Sequence, residues 1–247
     1  MKRFLPFLLA LVAMLGLSGC VRYDLGINYF SQTRGEIVQR IRLGESVTTF
    51  NEAIARDWLR SLERRTKELG GKARRRSLEE LSIRIPFTNG AELTHKFNRF
   101  FEPPSIATTE EDEDTEAMVW PEIVSHLALE EQNGLLVQRN RLVYDLDVRS
   151  LGLLAPNGNV LVGPGALLEL DFSLNTPWGA RVMPGSALPQ RSSWNRNLTW
   201  TLKTSEASHL EVVFWVPSPL GLGTVVILVV VVLGSILKSF LKSPGTA

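Results

Sequence analysis

Apolar and polar residues alternate along much of the chain, which is typical of strands with one buried face. The segments with this pattern are 22–30, 36–42, 81–87, 123–130, 135–141, 142–148, 168–174, 198–202 and 210–216. A polar turn near 31–35 joins the first two segments. Asn133-Gly134, the strongest short hairpin signal, joins another two. The last two segments are predicted to pair with each other across a loop at 204–208.

Two segments have the spacing of amphipathic helices. The first runs from Asn51, a favourable N-cap residue, to Leu69, where Gly70-Gly71 would end it. The second begins at 88–90 and presents Leu93, Phe97 and Phe100 or Phe101 on its apolar side. Because helices come early and strands dominate late, the sequence predicts an α+β fold, in which two helices pack on a mainly antiparallel sheet.

The first 19 residues have the layout of an export signal. Two cations, Lys2 and Arg3, precede an apolar run and then small residues. The sequence Leu17-Ser18-Gly19-Cys20 resembles the lipobox of bacterial lipoproteins, a family in which the cysteine is acylated and the chain is cut just before it. Cys20 is the one cysteine of the chain. This favours lipidation at Cys20 over an ordinary signal with a chance cysteine.

A transmembrane helix is predicted near the C-terminus. Residues 220–237 carry no charge. As a helix they would extend about 27 Å, close to the roughly 30 Å hydrocarbon core of a bilayer. The alternative is a buried core helix. Lys238 and Lys242 favour the cytoplasmic side, and Trp215 precedes the span where interfacial aromatic residues are expected.

The predicted organisation is a lipid-anchored, single-pass protein of the cell membrane or thylakoid membrane. Its segments are a signal peptide at 1–19, a periplasmic or lumenal domain at 20–219, the transmembrane helix at 220–237 and a cytoplasmic tail at 238–247. Because both anchors adjoin strands, we expect the strands at 23–28 and 210–216 to be neighbours in one sheet with their membrane ends level. Arg22 and Trp215 would then face the membrane.

Net charge argues against nucleic-acid binding. Four of the 27 basic residues and none of the 26 acidic ones lie outside residues 20–219. That domain therefore carries a net charge of about −3, whereas nucleic-acid binding normally needs a strongly basic face.

Sequence motifs for catalysis, cofactors and metals are also lacking. His95, His126 and His209 are far apart in the sequence and fall in different elements, and the sequence has no zinc motif, nucleophile elbow or phosphate-binding loop. Asp145 and Asp147 share one face of a strand, and we interpret that face as solvated. No catalytic residue, metal or cofactor is predicted, and the protein is not expected to be an enzyme.

Two charged segments remain as candidates for binding. Lys72, Arg74, Arg75 and Arg76 are predicted to contact anionic lipid headgroups, if they are not simply the charged edge of a strand. An acidic loop at 102–120 contains six acids within 110–116. We interpret this loop as solvated, with weak cation binding or a basic partner as the alternative, and expect it to face away from anionic lipid.

Several segments together resemble a known family. They are Cys20-Val-Arg-Tyr-Asp24, Arg84-Ile-Pro-Phe-Thr-Asn89, Leu198-Thr-Trp-Thr-Leu202 and Phe214-Trp-Val-Pro-Ser218. They resemble an uncharacterised family of cyanobacterial membrane lipoproteins, which is similar to the LppM-like lipoprotein domain of actinobacteria. The resemblance implies an extracytoplasmic domain without established chemistry and with no catalytic residues to transfer. For LppM-like proteins a lipid- or glycolipid-binding role has been suggested.

Two functions are therefore expected. The first is a module that binds membrane lipid or an apolar ligand between the sheet and the two helices. The second is an assembly or scaffold factor that binds a membrane-protein partner.

Overall fold

The computed structural model describes residues 21–44, 52–77, 79–102, 124–147, 153–154, 160–162, 168–191, 196–202 and 207–241. Several predicted features lie outside these ranges. They are the signal peptide with its lipobox (Leu17, Ser18, Gly19 and Cys20), Asn51, the acidic loop beyond Glu102, and most of the cytoplasmic tail.

Within the described ranges the predicted strands and helices occur in the predicted order. The segments predicted at 135–141 and 142–148 form one strand, and the short strands at 153–154, 160–162, 180–182 and 190–191 were not predicted. The helices are α1 (Glu52–Glu68), α2 (Gly90–Phe101) and α3 (Pro219–Leu241). The strands are β1 (Val21–Ser31), β2 (Arg34–Arg42), β3 (Lys72–Arg75), β4 (Glu80–Phe87), β5 (Val124–Asn133), β6 (Val137–Asp147), β7 (Leu153–Leu154), β8 (Val160–Val162), β9 (Leu168–Asn175), β10 (Ala180–Val182), β11 (Gln190–Arg191), β12 (Asn197–Leu202) and β13 (Ser208–Pro217).

The strands form two larger sheets that pack face to face. The first sheet has the order β11-β12-β9-β1-β2-β4-β3, and the second has the order β10-β13-β6-β5. Strands β7 and β8 form a separate pair. All pairs are antiparallel except β1 with β9, which is parallel. The predicted α+β class with mainly antiparallel strands is confirmed, although the single expected sheet is divided into two.

Alternation correctly predicted the buried faces of β1, β2, β4, β9, β12, β13 and the second half of β6, whereas in the first half of β6 the buried residues are the polar Gln138 and Asn140. In β1 the side chains of Tyr23, Leu25, Ile27 and Tyr29 are at most 5% exposed. Their partners across the sheet, such as Ile41 and Leu170, are buried as well. Burying this face removes apolar surface from water, which is the main stabilising contribution to such a core. The opposite face of the first sheet is polar and charged.

Local sequence signals determine where α1 ends and where α2 begins. Helix α1 buries Leu59 and Leu62 and is followed by Gly70, whose φ of 71° is a left-handed conformation that glycine adopts without strain. At the start of α2 the Asn89 side chain accepts a hydrogen bond of 2.8 Å from the Glu92 amide. Glu92 in turn accepts one of 2.7 Å from the Thr88 amide, so the two side chains cap the helix reciprocally.

Helix α2 connects the two sheets. Its Phe97 ring lies 5.4 Å from the Tyr144 ring of the second sheet, and Phe101 lies 6.5 Å from Tyr23 of the first. Tyr144 also stacks on Phe172 across the interface between the sheets, with ring centroids 4.7 Å apart. These aromatic contacts join both sheets and α2 into one core.

The predicted pairing of the last two strands is wrong. Strand β12 pairs with β9 in the first sheet, whereas β13 pairs with β6 and β10 in the second. Proximity along the chain and matched alternation favoured a hairpin. Alternation determines only which face of a strand is buried, so it leaves the choice of sheet to long-range packing.

The predicted arrangement of the first and last strands is also wrong. Strands β1 and β13 lie in different sheets and run in the same direction. Strand β13 is antiparallel to β6, and β6 is antiparallel to β5, so β5 and β13 end on the same side. Strand β1 also ends there, because the Tyr29 and Phe214 ring centroids are 4.8 Å apart and the Gln32 side chain donates a hydrogen bond to Asn133 at the end of β5. Val21 is therefore offset from Pro217 by about eleven residues of extended chain, or roughly 35 Å. We call the end of the domain at Pro217 the junction end, and the end at Val21 the far end.

Candidate functional site

Strand β3 divides the predicted basic group between two sides of the sheet. Ala73 packs against the core, so the neighbouring side chains of Lys72 and Arg74 lie on the outer face. Arg75 points to the opposite side and forms an ion pair of 2.9 Å with Glu63 of α1. Arg76 follows the strand and is exposed. Only part of the predicted group is therefore available as one surface.

Two further arginines complete the surface that Lys72 and Arg74 begin. Arg84 of β4 lies directly opposite Lys72, and Ser82 lies between Arg74 and Arg40 of β2. Since neighbouring strands are about 4.8 Å apart, the four cations occupy a patch about 10 Å wide. We call Arg40, Lys72, Arg74 and Arg84 the basic surface.

Few acids balance the basic surface. Glu80 lies 3.9 Å from Arg40 and 3.7 Å from Arg76, which are long and exposed ion pairs. In the part of the chain that the structure describes, Lys72, Arg74 and Arg84 have no acidic partner within 4 Å. The surface therefore concentrates positive charge on a flat, solvated face, where it attracts anionic groups and is screened by salt.

The neighbouring part of the same face, on β1 and β9, is electrostatically different. Arg22, which was predicted to face the membrane at the junction end, instead pairs with Asp24, Glu169 and Asp171 at 3.2, 3.4 and 3.0 Å. The hydrogen bond and the negative charge of Asp24 raise the pKa of Arg22 above its usual value. Its charge is neutralised internally, so the basic surface is a distinct feature of the β2–β4–β3 region.

Register brings together two histidines that are distant in the sequence. His126 and His209 lie on either side of Asp145, across three strands of the second sheet. The His209 Nδ1 atom lies 2.5 Å from Asp145 Oδ1. Among the described residues no group of three histidine, cysteine or carboxylate side chains could hold a metal. The sequence alone did not predict that His126, Asp145 and His209 are neighbours, because only the register of the three strands places them side by side.

Together these observations define a two-sheet α+β domain followed by a helix, Pro219–Ser239, that is long and apolar enough to cross a membrane. Residues 25–243 match a family described as "Protein of unknown function (DUF3153)", and the chain belongs to this family. No curated protein matches the chain. The predicted resemblance to an uncharacterised family is confirmed.

Among solved structures, the chain is similar to the folded domain of LppM from Mycobacterium tuberculosis, determined by NMR. The two share 10% identity with a TM-score of 0.43. The match covers 82% of this chain and 93% of that one.

Proposed function

We propose that this protein is a non-enzymatic adaptor, anchored in the membrane by α3, that holds an acidic partner protein against its basic surface. The observation that carries the proposal is the set of three cations, Lys72, Arg74 and Arg84, that lack acidic partners in the described structure. Complementary charge of this kind steers association and selects the partner more than it adds affinity.

The packing between the sheets and α2 favours this function over binding of an apolar ligand inside the domain. A ligand held between sheet and helices would need the space around Phe97, Phe101 and Tyr144. That space is filled by direct ring contacts of 5.0 Å between Phe97 and Phe101 and 5.4 Å between Phe97 and Tyr144. Opening it would sacrifice close packing that stabilises the core.

The height of the basic surface favours a protein partner over lipid headgroups. Strand register places Arg84 at the same height as Gly26, which is three residues before Tyr29 in β1. Tyr29 contacts Phe214, and α3 begins five residues after Phe214. Along the strands this places Arg84 roughly 25 Å from the start of α3. That distance is about three Debye lengths at physiological ionic strength. An acidic protein in the aqueous space reaches this surface without any tilting of the domain.

The test is affinity purification of the full-length protein in mild detergent, followed by mass spectrometry of both proteins and lipids. We compare the wild type with the Arg74→Glu/Arg84→Glu variant. Arg64→Glu, an exposed charge reversal on α1, is the matched control. We expect a stoichiometric protein partner to be lost only from the double variant, and its retention to fall steeply with added salt.

Two outcomes would contradict the adaptor. Loss of a co-purified anionic lipid with no change in bound protein would favour headgroup binding by the basic surface. Equal recovery of every protein and lipid from the double variant and from Arg64→Glu would leave the basic surface without a role in binding.

A further inference from the structure

Exposed large apolar side chains are concentrated at one end of the domain. Among the described residues outside α3, the exposed large apolar side chains are those of Phe30, Leu135, Leu136, Trp178, Leu188 and Trp215. All of them except Leu188 lie at the junction end. We call these five the apolar collar.

Contacts and register place each member of the collar at this end. Leu135 and Leu136 form the turn between β5 and β6, and the Leu136 carbonyl accepts a hydrogen bond of 2.9 Å from Ser218. Phe30 is one residue beyond Tyr29, which contacts Phe214. Trp178 precedes β10.

Strand register and sequence adjacency complete this placement. Ala180 of β10 pairs with Phe214, so the segment that carries Trp178 lies near that level. Trp215 immediately follows Phe214 in β13.

The collar surrounds the junction end on several sides. Phe30 follows the inward-facing Tyr29 and lies on the outer side of the first sheet, beside Arg34, whose guanidinium is 5.5 Å from the ring centre. Trp215 lies between the inward-facing Phe214 and Val216, on the outer side of the second sheet. Because the two aromatic rings lie on opposite outer faces, one flat surface contacts both only when it meets the domain end-on.

The connection between the domain and α3 is direct. Pro217 still pairs with Val137 in the sheet, and α3 begins at Pro219, a favourable first helical residue. The Ser218 hydroxyl accepts a hydrogen bond of 3.3 Å from the Gly221 amide. A Cβ atom at Gly221 would clash with the Leu135 carbonyl, so the turn and the first turn of the helix are in close contact. The direction of α3 is therefore coupled to the orientation of the domain.

We propose that the apolar collar lies in the interfacial region of the bilayer that α3 crosses, with the Leu135-Leu136 turn inserted beside the helix, so that the domain stands on its junction end. Tryptophan is favoured at this depth, and the leucines gain an apolar environment that water denies them. Arg34 and Arg139 lie close enough to the collar to reach lipid phosphates. This orientation is independent of what binds the basic surface.

The far end of the domain is then raised above the bilayer. Val21 lies roughly 35 Å from Pro217 along the strands. A lipid attached ahead of Val21 would favour a domain that lies on its side, so the orientation is tested both with and without Cys20.

The test measures depth in the membrane at matched positions. One cysteine at a time replaces Leu135, Trp178 or Leu188 in the full-length protein and carries an environment-sensitive fluorophore. Each variant is made in a Cys20→Ala background, where the new cysteine is the one thiol, and also with native Cys20, where the otherwise unsubstituted protein measures any label at Cys20. Leu188 is the control because it is 87% exposed, against 86% for Leu135, and lies away from the junction end. The protein is reconstituted into vesicles of phosphatidylcholine with one fifth phosphatidylglycerol. Quenching by aqueous iodide and by spin-labelled lipids is recorded.

We expect the fluorophores at Leu135→Cys and Trp178→Cys to emit at shorter wavelength and to be quenched by shallow spin-labelled lipid. Their iodide quenching should be about tenfold lower than at Leu188→Cys, because iodide is excluded from an apolar environment. Equal iodide quenching at positions 135 and 188 would overturn the proposal. Protection of position 188 together with 135 would also overturn it, since the domain would then lie on its side.

Discussion

The Asn98 side chain attaches α2 to the edge of the second sheet, and its removal should destabilise the domain. Strand β5 is an edge strand, so its outward backbone groups need partners other than a neighbouring strand. Asn98 donates to the Leu127 carbonyl at 2.9 Å and accepts from the Leu127 amide at 2.8 Å. Its carboxamide thus replaces the missing strand at this position.

The magnitude follows from the two groups that Asn98→Ala leaves unpaired. Leu127 is fully buried. Each buried backbone group that loses its partner costs about 1–3 kcal/mol. Allowing for partial access of water beside the shortened side chain, we expect the free energy of unfolding to fall by about 2–4 kcal/mol. This is a large fraction of the stability of a typical domain, about 5–15 kcal/mol.

The assay is urea unfolding of the full-length protein in detergent, followed through the intrinsic fluorescence of its six tryptophans, of which Trp200 is buried in the core. With a slope of about 2 kcal/mol per molar urea, the midpoint should fall by about 1–2 M. Asn28→Ala is the matched control. It removes one hydrogen bond of 3.1 Å to Glu36 on the outer face, where we expect a loss of at most about 0.5 kcal/mol. If both variants unfold at the same urea concentration, the bridging role assigned to Asn98 is refuted.

Two further predictions concern Glu92 and Cys20. Hydrogen bonds from Lys96 and Thr88 lower the pKa of Glu92 to about 2 from its usual 4.5, so the stability it contributes is present above about pH 4.5 and is lost as pH falls towards 2. Glu92→Gln should flatten this part of the stability profile measured by urea unfolding; a profile as steep as that of the wild type would contradict it. Cys20→Ala should prevent lipidation and leave the precursor uncut at this point. The lipobox interpretation fails if intact-mass analysis finds wild-type protein that begins elsewhere and carries no acyl group.

Local signals in the sequence predicted individual elements well. Alternation identified the buried faces of β1, β4, β9 and β13, and Asn133-Gly134 correctly indicated the hairpin of β5 and β6. Asn89 and Gly70 marked helix ends. Each of these features depends on interactions within a few residues, which the sequence displays directly. The alternative interpretation of the basic segment, as the charged edge of a strand, agrees with the position of β3 at the edge of the first sheet.

Features that depend on distant pairing were missed. The parallel pair of β1 and β9 joins Tyr23 to Leu170, and no periodicity in either segment specifies the other. The basic surface needs Arg40 and Arg84 beside Lys72, and these lie on three strands. The same reason explains why Arg75 was grouped with its neighbours although it pairs with Glu63 on the opposite side.

The sequence by itself determined the buried faces of most of the longer strands, where α1 and α2 end, and that Pro219–Ser239 is apolar enough to span a membrane. Composition and short-range periodicity decide these properties. Only the tertiary structure decided that β1 and β13 run in the same direction in different sheets. In that arrangement the five residues of the apolar collar lie at the junction end and Val21 lies at the far end. Strand direction is set by how the two sheets and α2 fill a common core, through contacts such as Tyr144 with Phe172 and Tyr29 with Phe214. Those contacts join residues that are far apart in the chain, and no local pattern in the sequence indicates that they pack together.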